Sequence, residues 1–177
     1  LNLTGPYGWQ IDQAGETASL IAMIRTGQSQ LREPLYSKKA QDRTTDWGKT
    51  YVEIDLTNQH VYMYQDGNLT WDAPCVTGNV SKNYTTPEGI YSLTYKQTDR
   101  VLRGEKKADG TYEYESHVDY WMPFNGGIGL HDASWRSKFG GTIYQYGGSH
   151  GCINLPSGKA QTLYDMVYTG IPVICYN

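Results

Sequence analysis

The chain has 177 residues and a net charge of −3, with its 15 Lys and Arg scattered rather than clustered. One domain with a modest appendage fits that length, and the charge pattern speaks against partners that need a basic face, such as nucleic acid or an anionic membrane surface. The 16 Tyr, 5 Trp and 20 Gly against 2 Phe describe a β-rich chain with many turns, whose strands are half wet.

The first residue is Leu, and the chain holds neither a basic leader followed by an apolar stretch nor a run of 18 apolar residues. The expectation is a piece of a longer protein, with its signal or anchor upstream. Within 16–26, Leu20, Ile21 and Ile24 recur at helical spacing and Gly27 follows as a stop, which predicts a short helix. Arg32-Glu33-Pro34-Leu35-Tyr36 is expected to be extended, because the residue before a proline avoids the helical region. Residues 38–48 are polar and charged and read as a linker.

From Tyr51 the apolar period becomes two. Val52, Ile54 and Leu56 alternate with Glu53 and Asp55, Thr57-Asn58-Gln59 turns the chain, and Val61 and Met63 mark the next strand. Asp66-Gly67 predicts a hairpin, with Leu69, Trp71 and Ala73 continuing the pattern on the return. After the turn Thr86-Pro87-Glu88-Gly89, a strand carries Tyr91, Leu93 and Tyr95. Asp109-Gly110 predicts a second hairpin between a basic arm at 102–107 and a Tyr- and Glu-rich arm at 112–120. Residues 127–130 read as a strand. Ser157 is expected to cap a helix bearing Ala160, Leu163, Tyr164 and Val167, which Gly170 stops, and 171–176 closes the chain as a strand. The predicted fold is mainly β, with one or two short helices.

Three cysteines cannot all pair within one chain. Cys75 and Cys175 sit in apolar, strand-like runs, where a thiol is buried and inert. Cys152 differs: it follows Gly147-Gly148-Ser149-His150-Gly151 and precedes Ile153-Asn154, among small and polar residues. A free thiol has a pKa near roughly 8.5 and becomes a nucleophile when an imidazole takes its proton, giving a thiolate–imidazolium pair. Two imidazoles qualify. His150 is two residues away and shares a side with Cys152 if the chain is extended, unless Gly151 bends it. His131, 21 positions upstream at the end of the strand at 127–130, approaches only if the chain folds back. The amides of Gly151 and Cys152 suit an oxyanion hole. Asp132 reads as a solvated turn residue, Trp121 and Trp135 as core fillers or groove walls, and His60 and His117 as surface or packing residues. A zinc site from His131, His150 and Cys152 has no C-x-x-C or H-E-x-x-H beside it, so neither metal nor cofactor is expected. A papain-like peptidase places its Cys before its His, the reverse of the order here.

His131-Asp132-Ala133, followed by Ser149-His150-Gly151-Cys152-Ile153-Asn154, resembles the signature of the L,D-transpeptidases, the YkuD-type catalytic domain. Thr86-Pro87-Glu88-Gly89-Ile90-Tyr91 is similar to that family's T-P-x-G turn, and Ile54-Asp55-Leu56 with Gln59 and Val61 to its first hairpin. Tyr120-Trp121-Met122-Pro123 is similar to the segment before the base in Gram-positive members. The resemblance assigns 48–177 to the catalytic domain. Tyr7-Gly8-Trp9-Gln10-Ile11-Asp12 and Arg32-Glu33-Pro34 resemble the tail of a peptidoglycan-binding domain, so 1–47 is expected to be a remnant of one plus a linker.

That resemblance implies a mixed β-sandwich. It makes Cys152 the nucleophile and His131 the base, with Ser149 orienting His131 through its backbone carbonyl. Gly151 and Cys152 amides then bind the oxyanion, His150 shapes the site, and Asn154, Trp121, Asp132 and Trp135 meet the substrate. The implied reaction opens the bond between the third residue of a peptidoglycan stem tetrapeptide and the following D-alanine. A thioester forms and passes to an amine of a neighbouring stem as a 3→3 cross-link. Carbapenems are the implied inhibitors, and the outer face of the bacterial membrane or the cell wall is the implied location. Hydrolysis of the same thioester and a wall-binding module without turnover are the alternatives, and the intact His131 and Cys152 favour an enzyme.

Overall fold

The computed structural model describes residues 8–40 and 45–177. Two compact units divide the chain, a small one within 6–48 and a larger one spanning 49–177. Tyr7 and linker residues 41–44, on which expectations above fell, lie outside the described residues.

In the small unit, strand β1 (Gln10–Ile11) pairs antiparallel with β2 (Tyr36–Lys38) around helix α1 (Gln13–Thr26). The helix starts three residues earlier than its apolar period predicts, because the Asp12 side chain accepts the Gly15 N–H and caps it. Gly27 ends it in the left-handed conformation, φ 65°. Glu16 accepts from Arg32 at 2.7 Å and from the Leu35 N–H at 2.8 Å, which ties the extended segment to the helix.

The larger unit begins with an antiparallel meander: β3 (Tyr51–Asp55), β4 (His60–Gln65) and β5 (Asn68–Pro74). Asp66 and Gly67 both have positive φ, as a two-residue hairpin of matching twist requires. A bulge between Met63 and Tyr64 shifts the register, and Leu69 is thereby exposed instead of continuing the buried row of Trp71 and Ala73. Next come β6 (Gly89–Ser92), shorter than its alternation suggests, then β7 (Gln97–Arg103), β8 (Glu115–Asn125) and β9 (Ile128–Asp132). A five-residue helix α2 (Ile143–Gly147) precedes β10 (Ile153–Leu155), helix α3 (Ser157–Met166) and β11 (Pro172–Tyr176). Ser157 is the first residue of α3 rather than its cap; Pro156 holds the cap position and offers no side-chain acceptor. No apolar period announced α2, because a single turn among glycines buries nothing.

These strands form a five-stranded sheet, ordered β5-β4-β3-β11-β6, and a four-stranded one, ordered β10-β9-β8-β7. Val52, Ile54, Val61, Met63 and Val173 from the first share one core with Met122, Leu130, Ile153 and Leu155 from the second. The result is the expected mainly β, mixed sandwich. Two pairings are parallel, β11 with β3 and β10 with β9. Parallel neighbours need a long crossover, and the one joining β9 to β10 carries α2 and the Ser149–Cys152 loop.

Helix α3 docks Ala160 and Leu163 into this core beside β8 and β9. Leu163→Ala removes a fully buried side chain there and is expected to cost about 2–5 kcal/mol. A urea titration checks this as a lowered midpoint at unchanged slope.

Candidate active site

Register builds the site. Ile153 pairs with Leu130 and Asn154 with His131 across the parallel β9–β10 pair, while Trp121 of β8 pairs with His131 from the other side. Paired residues point to the same face and alternate along each strand. Leu130, Ile153 and Met122 therefore enter the core, and His131, Asn154 and Trp121 share the opposite face. Cys152, two residues before Asn154, enters β10 on that face. A cavity of about 210 Å³ opens there, and His131, Trp135, Arg136, Ser149, Cys152 and Asn154 are among the residues that line it.

His131 is buried, with Trp121 and Trp135 ring centroids each 5.9 Å from its own. Its Nδ1 lies 2.7 Å from the Asp132 carbonyl oxygen. A carbonyl only accepts, so Nδ1 carries the proton and the lone pair of a neutral imidazole sits on Nε2. Burial, and then the positive charge of Arg136, hold the imidazole below its ordinary 6.5 against the opposing pull of Asp132.

Cys152 is partly exposed, yet protein atoms surround its sulfur closely enough to push the thiol up to about 11. The Gly129 N–H opposes that rise by donating toward the sulfur. A side chain at Gly129 would collide with the Met122 carbonyl at 2.8 Å, so the close approach of that strand depends on glycine. The Cys152 Sγ also lies 3.5 Å from the Gly127 carbonyl. These environments favour a neutral thiol beside a neutral imidazole. Desolvation disfavours both ions and so works against the pre-formed thiolate–imidazolium pair that the Cys–His chemistry suggests.

The loop before Cys152 is held from several sides. Ser149 Oγ donates to the Cys152 carbonyl at 2.6 Å and accepts the Gly151 N–H at 3.0 Å. Its carbonyl takes the Asn79 N–H at 2.9 Å. Two expectations change here. The carbonyl on His131 Nδ1 is that of Asp132, not of Ser149, and the Gly151 N–H points at Ser149 rather than into the cavity. Gly151 has φ +115°, a conformation side chains resist, and this bend separates Cys152 from His150. His150 packs against Tyr84 and Tyr114, each ring centroid 4.5 Å from its own, with Glu113 3.6 Å from its Nε2.

Asp132 is also corrected. It is 1% exposed and accepts the Tyr120 N–H at 2.8 Å, neither a solvated turn residue nor a wall of the cavity. Strand alternation explains this, since the residue after His131 faces the other way. Trp121 is buried beside His131 and lines a second cavity that also reaches Cys152, while the half-exposed Trp135 walls the first. Asn154 is 2% exposed, and its Oδ1 has no hydrogen-bond partner.

Tyr114 and Arg136 carried no signal in the sequence, and Thr86 stood out only as part of a turn motif, without a site role. Thr86 Oγ1 donates to the Gly151 carbonyl at 2.7 Å and accepts the Gly78 N–H at 3.1 Å, which gives the Thr86-Pro87 turn its purpose. Cys75 and Cys175 are free and fully buried, and burial pushes Cys175 up to about 12 and Cys75 higher. His60 and His117 pair with Asp72 and Asp99 away from the site. Among the described residues, no three His, Cys, Asp or Glu side chains converge to hold a metal ion.

The family model of YkuD, the L,D-transpeptidase catalytic domain, matches residues 49–175. The crystal structure of a Cys-to-Ser variant of Enterococcus faecium L,D-transpeptidase is 35% identical, with a TM-score of 0.83 over 98% of this chain and 68% of that one. The catalytic domain of E. faecium L,D-transpeptidase acylated by ertapenem is 40% identical, with a TM-score of 0.63 over 73% of this chain and 98% of that domain. An L,D-transpeptidase from Mycobacterium smegmatis, 24% identical, shares the fold with a TM-score of 0.61 over 73% of this chain and 59% of its own. No curated protein matches the sequence. On the sequence match over its larger unit and the close structural likeness to the E. faecium enzyme, the chain belongs to the L,D-transpeptidase catalytic-domain family, YkuD.

Proposed function

We propose that this L,D-transpeptidase forms 3→3 cross-links in peptidoglycan, with Cys152 as nucleophile and His131 as base. The observation that carries the reading is the meeting of the Cys152 thiol and the His131 imidazole on one face of the β9–β10 pair, in one open cavity. Because burial favours the neutral form of both groups, proton transfer accompanies attack: Nε2 takes the thiol proton as sulfur bonds to the carbonyl of the third stem residue. The oxyanion turns to the Cys152 N–H, since the Gly151 N–H is held by Ser149. Collapse breaks the C–N bond, and the imidazolium returns the proton to the departing D-alanine amine. An amine of a second stem then attacks the thioester, gives its proton to His131, and expels the thiolate, which regains that proton.

Ser149 serves by fixing the loop through its hydroxyl. His150, clasped by Tyr84 and Tyr114, anchors the loop to the β7–β8 hairpin. Trp135 and Asn154 face the substrate. Carbapenems acylate the same sulfur, a reading supported by the 40% identity to a domain that ertapenem acylates. The substrate places the enzyme at the outer face of the bacterial membrane or in the wall, and residues 1–47 are the remnant of a preceding peptidoglycan-binding-like domain plus linker.

Mass spectrometry of products from a disaccharide-tetrapeptide tests this. The expected product is a cross-linked dimer with loss of one D-alanine. Tripeptide alone would make water the acceptor and the chain a hydrolase.

A further inference from the structure

Among the described residues, three buried side-chain polar atoms have no hydrogen-bond partner, and two of them belong to residues lining the Cys152 cavity: Arg136 Nε and Asn154 Oδ1. A buried donor or acceptor left unpaired is costly, so each one needs a reason, and a ligand that completes it is one. Arg136 carries the stronger signal. It sits on the turn after β9, pinned by its own N–H to the Ala133 carbonyl at 3.0 Å, while the Ala133 N–H is held by Leu155 at 2.9 Å. Its guanidinium is half-buried, and no carboxylate among the described residues pairs with it. Arginine's rigid fork matches a carboxylate, and a partly desolvated guanidinium without one is a waiting receptor.

We propose that Arg136 binds the terminal carboxylate of the donor stem, that of the D-alanine to be released, and so restricts the donor to peptides ending one residue after the scissile bond. This rests on the donor reading above and names the residue that selects its end. The cavity's 210 Å³ falls below the roughly 300–1,000 Å³ of sites that engulf whole drug-sized ligands. It suits the last residue of a stem rather than the stem itself. Consecutive Cα atoms lie about 3.8 Å apart, so a carboxylate one residue beyond the carbonyl at Cys152 stays within the same cavity. A carboxyl nearer the sugar lies on the far side of the scissile bond. Asn154 Oδ1 offers the complementary acceptor for a peptide N–H.

Occupation has a second consequence. His131 is held low by burial first, and the Arg136 charge adds to that effect. A carboxylate on Arg136 cancels the added part, so the base strengthens when the correct donor is in place. A donor without the carboxylate loses on kcat as well as on KM.

The test compares a stem tetrapeptide with its C-terminal carboxamide, in the full chain and in Arg136→Gln and Arg136→Lys. Turnover in the active protein and binding to Cys152→Ala are both measured. The free acid is expected to exceed the amide by about a hundredfold in kcat/KM. Arg136→Gln is expected to erase that preference by weakening the acid, with the amide unchanged or somewhat faster because the charge that holds His131 low is gone, and Arg136→Lys to restore part of it. Equal losses on acid and amide, or no preference in the parent chain, overturn the assignment. Acid-selective binding to Cys152→Ala that depends on Arg136, without turnover in the active protein, keeps the receptor and sinks the transpeptidase reading instead.

Discussion

Cys152→Ala is expected to abolish acylation by a carbapenem, with the intact-protein mass unchanged after incubation and no turnover of stem peptide. Removing an enzyme's nucleophile costs about 10⁶-fold in rate. The other thiols offer no substitute, because Cys75 and Cys175 are fully buried and their ionised forms are suppressed by desolvation. The side chain is partly exposed at the mouth of the cavity, and its shortening to Ala leaves the core untouched, so the melting temperature stays close to that of the parent chain. A mass shift that survives the substitution would move the nucleophile elsewhere and dissolve the assignment.

His131→Ala should lower turnover by about 10²–10⁴-fold, the range for loss of a general base. His150→Ala should cost far less, because that ring packs against Tyr84 and Tyr114 and the bend at Gly151 parts it from Cys152. The reverse ranking would hand the base to His150. The pH profile separates the roles further. The folded imidazole titrates below 6.5 and the thiol near 11. Between these values the neutral pair dominates, and both protons stand where general-base attack needs them. The acylation rate is therefore expected to be flat from about pH 7 to 10 and to fall on the acid side as His131 is protonated. In His131→Ala only the thiolate reacts, so the rate should climb tenfold per pH unit toward the thiol's own titration. A flat profile in that variant would exclude His131 as the base.

Much of the fold was legible from local chemistry. Val52, Ile54, Val61 and Met63 alternate because each strand has one face in the core, and Asp66-Gly67 turns because both residues accept positive φ. Cys152 stood out for a local reason too, its small and polar neighbours. The five-residue α2 was not legible, and the inward row at Leu69 was broken by a bulge that no residue type announced.

Choosing between His131 and His150 is where local reasoning stopped. Sequence pattern alone left two bases open with a slight lean to His131, and resemblance to a family settled on that one. The fold supplies the physical ground: a parallel pairing of β9 with β10 sets His131 level with Asn154 and turns Asp132 to the opposite face, while the left-handed Gly151 parts His150 from Cys152. The partner of Nδ1, the diversion of the Gly151 N–H to Ser149, and the unpaired guanidinium of Arg136 belong to the same class of fact. Residue types and their spacing determine which groups are available and which strands alternate. Register between segments some 20 residues apart determines which of those groups meet, and how much water is left between them.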